Sequence, residues 1–511
     1  MNNPKNTPSS WMNRRSAGIL MHITSLPGPP YTGDIGPAAM AFVDFLAKSG
    51  QTVWQMLPLN PTIPEQSFSP YSASSAMAAN PVLISIDWLI RNKLIDRKEI
   101  KTLTDNKNKK ADFEKAFAYK DALLDKAFVR WKSEGGGQSS AFQIFCRQEA
   151  YWLQDYALFS VLKKSFKQSP WLEWPVTLRD RNPNALQKFG REHYDDIMKV
   201  KWTQMIFHEQ WHELRSYCSE KGIKIMGDMP MYVAYDSCDV WSNRHLFTLN
   251  DDGSMSEVSG VPPDLFNDNG QLWGTPVFKW DQVKISGYSW WIDRFKRNFA
   301  LFDILRLDHF RGFSAYWAVP AGARTAKEGE WKQGPGTGLF DAVKRSLGDL
   351  AIVAEDLGEI DEPVYRLRDE LRFPGMNVLH FAFNDEHDNS YLPHHHVHNS
   401  IVYSGTHDNN TTKGWYRHLT AAGKKHLSNY TGSRVNVANV SDVLCRMAYQ
   451  SVSQLVVLPM QDLLSLDAAS RMNMPATVEG NWTWRASARD FSSAVIAKLK
   501  KWVILYGRSP E

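Results

Sequence analysis

Eight short apolar runs punctuate the chain, at 17–23, 52–57, 223–227, 302–307, 351–354, 377–381, 401–404 and 454–458, each closed by a polar residue, glycine or proline. Several lead into segments with helical period: Phe340, Val343 and Leu347 share one face, and so do Val364, Leu367 and Leu371. Runs that are apolar without alternation are buried on both faces, and when helices join them they form a parallel sheet. Eight of them point to a (β/α)8 TIM barrel, with an open doubly wound sheet as the alternative. At about 150 residues per domain the length of 511 suggests about three domains, but a barrel with insertions exceeds about 400 residues as one unit. The expected organisation is a single catalytic domain, 1–511.

The uneven spacing of the runs locates the insertions. Between the second and third runs lie about 165 residues, with charged helix-like stretches at 97–128 and the soft tract Glu134-Gly135-Gly136-Gly137. They read as a largely helical insertion, 60–220, after strand 2. A second stretch, 230–290, is rich in Asp, Asn, Gly and aromatics and reads as an insertion with a loop over the cleft after strand 3. Insertions that follow strands stand at the C-terminal end of a barrel, where active sites sit.

Composition excludes several classes. The formal charge of +4 leaves no electrostatic footprint for nucleic acid or an anionic membrane. No apolar stretch reaches the length of a membrane-spanning helix. Arg14-Arg15 precedes too short an apolar run for a twin-arginine export signal, so a cytoplasmic location is expected. Four cysteines without a CxxC pair argue against a disulfide framework or zinc ribbon. Twenty tryptophans are the compositional excess; they serve a large core, ligand stacking, or both.

Three motifs are weighed and set aside. His208-Glu209-Gln210-Trp211-His212 fits the HExxH zinc-peptidase pattern. Its apolar stripe is Phe207, Trp211, Leu214 and Cys218, which leaves both histidines on the polar flank of a helix, and no third ligand follows. His394-His395-His396-Val397-His398 reads as a polar loop rather than a metal site. Gly334-Pro335-Gly336-Thr337-Gly338 lacks the spacing of a phosphate loop. No metal and no cofactor is expected.

Carboxylates at the strand ends carry the chemistry. Along 302–308 the side chains alternate, so Phe302, Ile304, Arg306 and Asp308 share one face, and Leu305 and Leu307 pack outward. Arg306 and Asp308 then point into the barrel mouth. A guanidinium beside Asp308 is expected to keep it ionised, which suits a nucleophile. Glu355 closes the next run, and Asp408 follows 401–404 within Gly405-Thr406-His407-Asp408-Asn409. Three carboxylates in one mouth cannot all ionise easily, so one is raised in pKa, and a pair of one ionised and one protonated carboxyl is what retaining glycoside chemistry uses.

Over nearly its whole length the chain resembles the 4-α-glucanotransferases known as amylomaltase or disproportionating enzyme, in the α-amylase clan. The resemblance rests on Ser25-Leu26-Pro27-Gly28, Trp54-Gln55-Met56-Leu57-Pro58-Leu59 and Ser69-Pro70-Tyr71-Ser72. It continues through Gly227-Asp228-Met229-Pro230, Gly260-Val261-Pro262-Pro263-Asp264, Gln271-Leu272-Trp273-Gly274 and Arg306-Leu307-Asp308-His309-Phe310-Arg311-Gly312. It ends with Ala354-Glu355-Asp356-Leu357-Gly358, Thr406-His407-Asp408-Asn409, Arg471-Met472-Asn473 and Gly480-Asn481-Trp482-Thr483-Trp484-Arg485.

The resemblance implies Asp308 as nucleophile, Glu355 as general acid/base and Asp408 as the carboxylate steadying the transition state. It implies substrate-binding roles for Tyr71, Asp228, Asp264, Trp273, Arg306, His309 and His407, a flap over 262–271, and maltooligosaccharides and α-1,4-glucans as partners. Leu265, Thr275, Asn410 and Ala476 depart from the family pattern and bear on acceptor preference. The alternatives are a retaining α-glucan hydrolase, a catalytically dead glucan-binding protein and, least of all, the zinc peptidase.

Overall fold

The computed structural model describes residues 11–100, 110–263, 268–358, 360–384 and 388–510. In chain order the strands among these are β1 (Ser16–Leu20), β2 (Val53–Gln55), β3 (Lys224–Met229), β4 (Glu257–Val261), β5 (Gln271–Pro276), β6 (Ile304–Leu307), β7 (Ala315–Pro320), β8 (Glu330–Gln333), β9 (Ile352–Ala354), β10 (Gly375–Val378), β11 (Ser400–Tyr403) and β12 (Leu455–Pro459). Eight pair in parallel in the order β10-β11-β12-β1-β2-β3-β6-β9. The Ala354 N–H donates to Pro374 O at 3.0 Å across the remaining seam, so the sheet closes as a (β/α)8 barrel. Each barrel strand overlaps one of the eight apolar runs.

Strand burial explains the unbroken apolar sequences. Ile19, Trp54, Ile225, Ile304, Val353, Ile401 and Val456 are at most 1% exposed. Outside them lie the helices Pro37–Lys48, Tyr194–Glu220, Ser289–Leu301, Thr337–Leu347, Glu362–Glu370, Val440–Gln450 and Ser493–Leu505. The connection from β10 to β11 has only two 3-10 turns among its described residues. Near the mouth the interior turns polar: Gln55, Asp228, Arg306 and Tyr403 are all buried, and the Tyr403 hydroxyl donates to Gln55 Oε1 at 2.9 Å. On the other face of β3, Gly227 makes room for the Phe302 ring, from which a Cβ there would lie 2.2 Å, and Phe302 packs on Trp211 of the surrounding helix.

Residues between β2 and β3 form a helical group, including Phe113–Ser133, Ser140–Gln148 and Ala150–Ser165, ahead of Tyr194–Glu220. The last of these belongs to the barrel wall, since Trp211 Nε1 donates to Leu301 O at 2.9 Å. A buried ion pair, Lys120 to Asp34 at 2.7 Å with both side chains 3% exposed, fastens the group to the loop after β1.

A second sheet, which the sequence pattern did not reveal, is antiparallel in the order β5-β4-β7-β8. It joins the stretch after β3 to the stretch after β6 through the Gly260–Trp317 and Trp317–Trp331 pairs.

At the opposite end, Arg508 is fully buried and donates to the carbonyls of Ser16, Tyr449, Ser451, Ser453 and Gln454 at 2.9–3.0 Å. Arg15 of the twin-arginine pair adds bonds to Ser451 O and Tyr449 O at 2.8 and 3.2 Å. Arg508→Met would leave buried carbonyls without donors, at a cost of about 3 kcal/mol. With an unfolding entropy near 1.1 kcal/mol/K for a chain this long, Tm should fall by about 3 °C in a thermal melt. An unchanged Tm would remove the clamp from this account.

Candidate active site

The mouth of the barrel gathers groups from β3, β6, β9 and β11. Arg306, on β6, is 3% exposed. Its Nη1 donates to Asp228 Oδ1 and Oδ2 at 2.8 and 2.7 Å and to Asp308 Oδ1 at 3.0 Å. One guanidinium nitrogen thus bridges the end of β3 to the residue just past β6. Tyr71, from the segment after β2, donates its hydroxyl to Asp228 Oδ2 at 2.7 Å. With that proton committed, the tyrosine oxygen accepts from His407 Nε2 at 2.8 Å. His407 Nε2 also faces Asp408 Oδ2 at 3.2 Å, and its ring stacks on Tyr71 at 5.2 Å and 11°.

Glu355 is held by backbone. Its Oε2 accepts from His309 N–H at 2.7 Å and its Oε1 from Leu357 N–H at 3.1 Å. The His309 donor can point there because the residue adopts a left-handed backbone, φ +53°, which is uncommon for a side chain of this size. The loop after Asp308 and Glu355 are therefore one hydrogen-bonded unit. The Trp273 ring meets the His309 imidazole edge-on at 4.8 Å and 86°, and Tyr232 lies 6.2 Å from the same imidazole.

Of the residues singled out from sequence, Tyr71, Asp228, Trp273, Arg306, Asp308, His309, Glu355, His407 and Asp408 converge on this mouth. Asp264, and with it Leu265, falls outside the described residues. Thr275 is occupied by Ser259, hydroxyl to hydroxyl at 2.5 Å, and Asn410 Oδ1 accepts from Thr411 N–H at 2.9 Å. Ala476 takes a positive φ of 61°.

His208 lies on the flank of its helix beside the Phe145 ring, and His212 is exposed; no cluster of three metal-ligating side chains occurs among the described residues. The His394–His398 stretch is engaged locally, with His396 Nδ1 at 2.7 Å from Ser451 Oγ and Nε2 at 2.9 Å from Tyr391 O.

A second layer of residues had no role assigned from sequence. Asn473 Nδ2 donates to Asp408 Oδ1 at 2.6 Å, and Arg471 Nη2 donates to Asp408 O at 2.7 Å. Trp482, with φ +63°, leans on both Tyr71 and His407 at 5.8 and 6.1 Å. These residues sit in motifs that signal the resemblance, but they lie far past the last strand, so no strand-end argument could reach them.

Electrostatics corrects one expectation. Burial raises Asp308 to about 6, with Asp228 and Asp408 adding to the rise; Arg306 pulls the other way and does not outweigh it. The guanidinium therefore limits the shift rather than holding the carboxyl low. Burial, with Asp308 beside it, also raises Glu355 to about 7 against the pull of Arg306 and two backbone donors. Burial alone would raise Asp408, but the charge and hydrogen bond of His407 and the Asn473 donor hold it below the usual carboxylate range. The same partner raises His407 against its burial. His309 is lowered to about 4 by burial and by Arg311, so it is neutral at pH 7.

The family comparison decides the identity. The family model described as 4-alpha-glucanotransferase matches residues 21–490. The chain belongs to the 4-alpha-glucanotransferase family. These enzymes, also called amylomaltase or disproportionating enzyme, transfer glucan segments.

The chain is 41% identical over 501 residues to the 4-alpha-glucanotransferase of Synechocystis, covering 97% of this chain and 99% of that one. It is 42% identical over 514 residues to the chloroplastic/amyloplastic 4-alpha-glucanotransferase of Solanum tuberosum, covering 99% and 88%. Among solved structures, the amylomaltase from Streptococcus agalactiae in complex with acarbose superposes with a TM-score of 0.93 at 39% identity, covering 97% of this chain and all of that one.

Tyr71→Phe removes the one hydroxyl that joins Asp228 to His407. Losing a buried partner of this kind costs 1–3 kcal/mol, so glucose release from maltotriose should slow by about tenfold or more while the circular dichroism spectrum is kept. A rate within about twofold of the parent would show that the bridge is dispensable.

Proposed function

We propose that this 4-alpha-glucanotransferase disproportionates maltooligosaccharides and α-1,4-glucans by a retaining double displacement. The Asp308 carboxylate attacks the anomeric carbon of the bound glucose. The bond to the 4-oxygen of the departing glucan breaks as Glu355 delivers its proton to that oxygen. A covalent β-glucosyl ester on Asp308 results. In the second half, the Glu355 carboxylate takes the proton of an incoming 4-hydroxyl, that oxygen attacks the anomeric carbon, and Asp308 leaves.

Asp408, kept anionic by His407 and Asn473, steadies the positive charge that develops at the ring. Asp228, Arg306, Tyr71, His407, His309 and Trp273 line the pocket of the reacting sugar, and Asp264 is assigned to substrate binding with them.

The observation that carries this reading is the gathering of Asp308, Glu355 and Asp408 at one barrel mouth in different surroundings: His407 and Asn473 hold Asp408 anionic, while burial raises both Asp308 and Glu355. Two carboxyls raised together hold one proton between them, which supplies an ionised nucleophile and a protonated acid. A closed site is what transfer demands. Water is present at about 55 M, and only an oriented acceptor with an effective molarity of about 10⁵ M or more outcompetes it. We assign the enzyme to the cytoplasm, a reading supported by four unpaired cysteines, three of them buried.

Maltotriose incubation tests the reaction: glucose plus chains longer than the substrate are expected, and shorter products alone would mean a hydrolase. Asp308→Asn, Glu355→Gln and Asp408→Asn should each lower transfer by about 10³-fold or more, as loss of a reacting group does.

The rate should also be bell-shaped in pH. Activity falls on the acid side as the pair takes a second proton, with an apparent value near 6, and on the alkaline side as it loses its last, near 7. A kcat/KM profile flat between pH 5 and pH 8 would contradict the assignment of these two groups.

A further inference from the structure

Trp331 lies on β8, the outer strand of the antiparallel sheet, and keeps 42% of its surface exposed. It is nevertheless clamped. The Arg311 guanidinium carbon stands 3.9 Å from the indole centroid, and Arg311 is itself tied to Asp361 at 2.9 Å. Trp317, its direct partner in register, meets it edge-on at 5.2 Å and 69°. Trp317 is fixed in turn by its Nε1 donating to Ala326 O at 2.8 Å. A tryptophan that only filled the core would be covered, and one that merely decorated the surface would gain nothing from supports on both a face and an edge.

The support on the face leads to the loops around Glu355. Arg311 follows two residues after His309, whose N–H holds Glu355, and Asp361 follows six residues after Glu355. Tyr71, His407, Asp408 and Trp482 gather instead at the end of β11. In glycosyl transfer the acid/base stands beside the sugar that departs and, in the second half, beside the sugar that arrives. The flank of the mouth carrying Glu355, Arg311 and Trp331 is therefore the acceptor flank.

We propose that Trp331 is a stacking platform for a glucose unit of the acceptor chain and sets how well short acceptors compete with water. The inference rests on the transfer reaction proposed above. A pyranose presents a face of C–H groups that matches an indole, and a ring already immobilised by Arg311 and Trp317 loses little freedom on binding it. The departing end of the donor crosses the same flank in the first half of the cycle, so the maltose dependence is read with the donor saturating, and attack of water on the intermediate does not use the platform.

The test varies maltose as acceptor at a saturating, fixed concentration of amylose, and separately follows hydrolysis of amylose without added acceptor. Trp331→Leu keeps the apolar contact with Trp317 but removes the flat face; Trp331→Phe keeps a face. The half-saturating maltose concentration should rise about tenfold in the Leu variant and return to within about threefold of the parent in the Phe variant, with hydrolysis within about twofold in both.

An unchanged maltose dependence in the Leu variant would overturn the proposal. So would hydrolysis falling in step with transfer in both variants, which is the mark of a structural role. A parent enzyme that makes no chains longer than its substrate would instead overturn the transfer reading itself.

Discussion

One guanidinium nitrogen shared by two carboxylates organises the mouth of this barrel. Arg306 Nη1 lies within 3.0 Å of oxygens on both Asp228 and Asp308, and the arginine is almost wholly buried. Arg306 and Asp228 are buried while Asp308 is half-buried; burying charge is costly unless it is paired, and removing Arg306 or Asp228 leaves the other uncompensated. The arrangement therefore fixes the ends of β3 and β6 against each other. Tyr71 extends it to His407, and His407 to Asp408, so a chain of charged and hydrogen-bonded groups runs from β6 back to β11. The geometry of the three carboxylates follows from that chain rather than from each loop separately.

Their surroundings leave the carboxylates in different protonation states. All three are penalised by burial, yet they end in different states because their partners differ. Asp408 has a protonatable histidine and an amide donor on its two oxygens and stays anionic. Asp308 shares one positive charge with a second carboxylate and is left near 6. Glu355 has neutral backbone donors only and lies highest, near 7. Carboxyls of the same chemical type are set apart by what faces them, and the His309 N–H, presented by a left-handed backbone, limits the rise at Glu355.

The barrel was legible because it rests on a local pattern: residues buried on both faces of a strand are apolar without interruption, whatever their partners. The placement of Asp308 and Glu355 at the barrel mouth was legible for a related reason, because both directly end such runs, while Asp408 stands four residues past its run in the loop that carries His407. The antiparallel sheet was not, because β5 and β8 are largely exposed, Gly260 and Gly274 interrupt β4 and β5, and the β4–β7 pairing that joins the two hairpins spans distant parts of the chain.

Burial strength was misjudged at Asp308. The sequence shows a neighbouring arginine but not the second carboxylate, Asp228, that shares it. The tryptophans divide by the same logic. Trp54 and Trp211 are buried with their N–H groups bonded to Met21 O and Leu301 O, while Trp273 and Trp331 stay exposed at 38% and 42%.

The antiparallel sheet also explains how an insertion can serve the catalytic step. The chain leaves Asp308, makes the turn Phe310–Phe313 and enters β7, which pairs directly with β4; β4 leads into the flap. On the far side of the flap, Ala326 N–H donates to Asn269 O at 2.9 Å, so its base is pinned to the loop between β7 and β8. The base of the 262–271 segment is thus tied to strands that continue from Asp308, through the β4–β7 pairing on one side and through Ala326 on the other. A segment borne on an independent linker would have no fixed relation to the barrel mouth, whereas one rooted in this sheet has both of its ends set by the same strands that carry the chain away from Asp308.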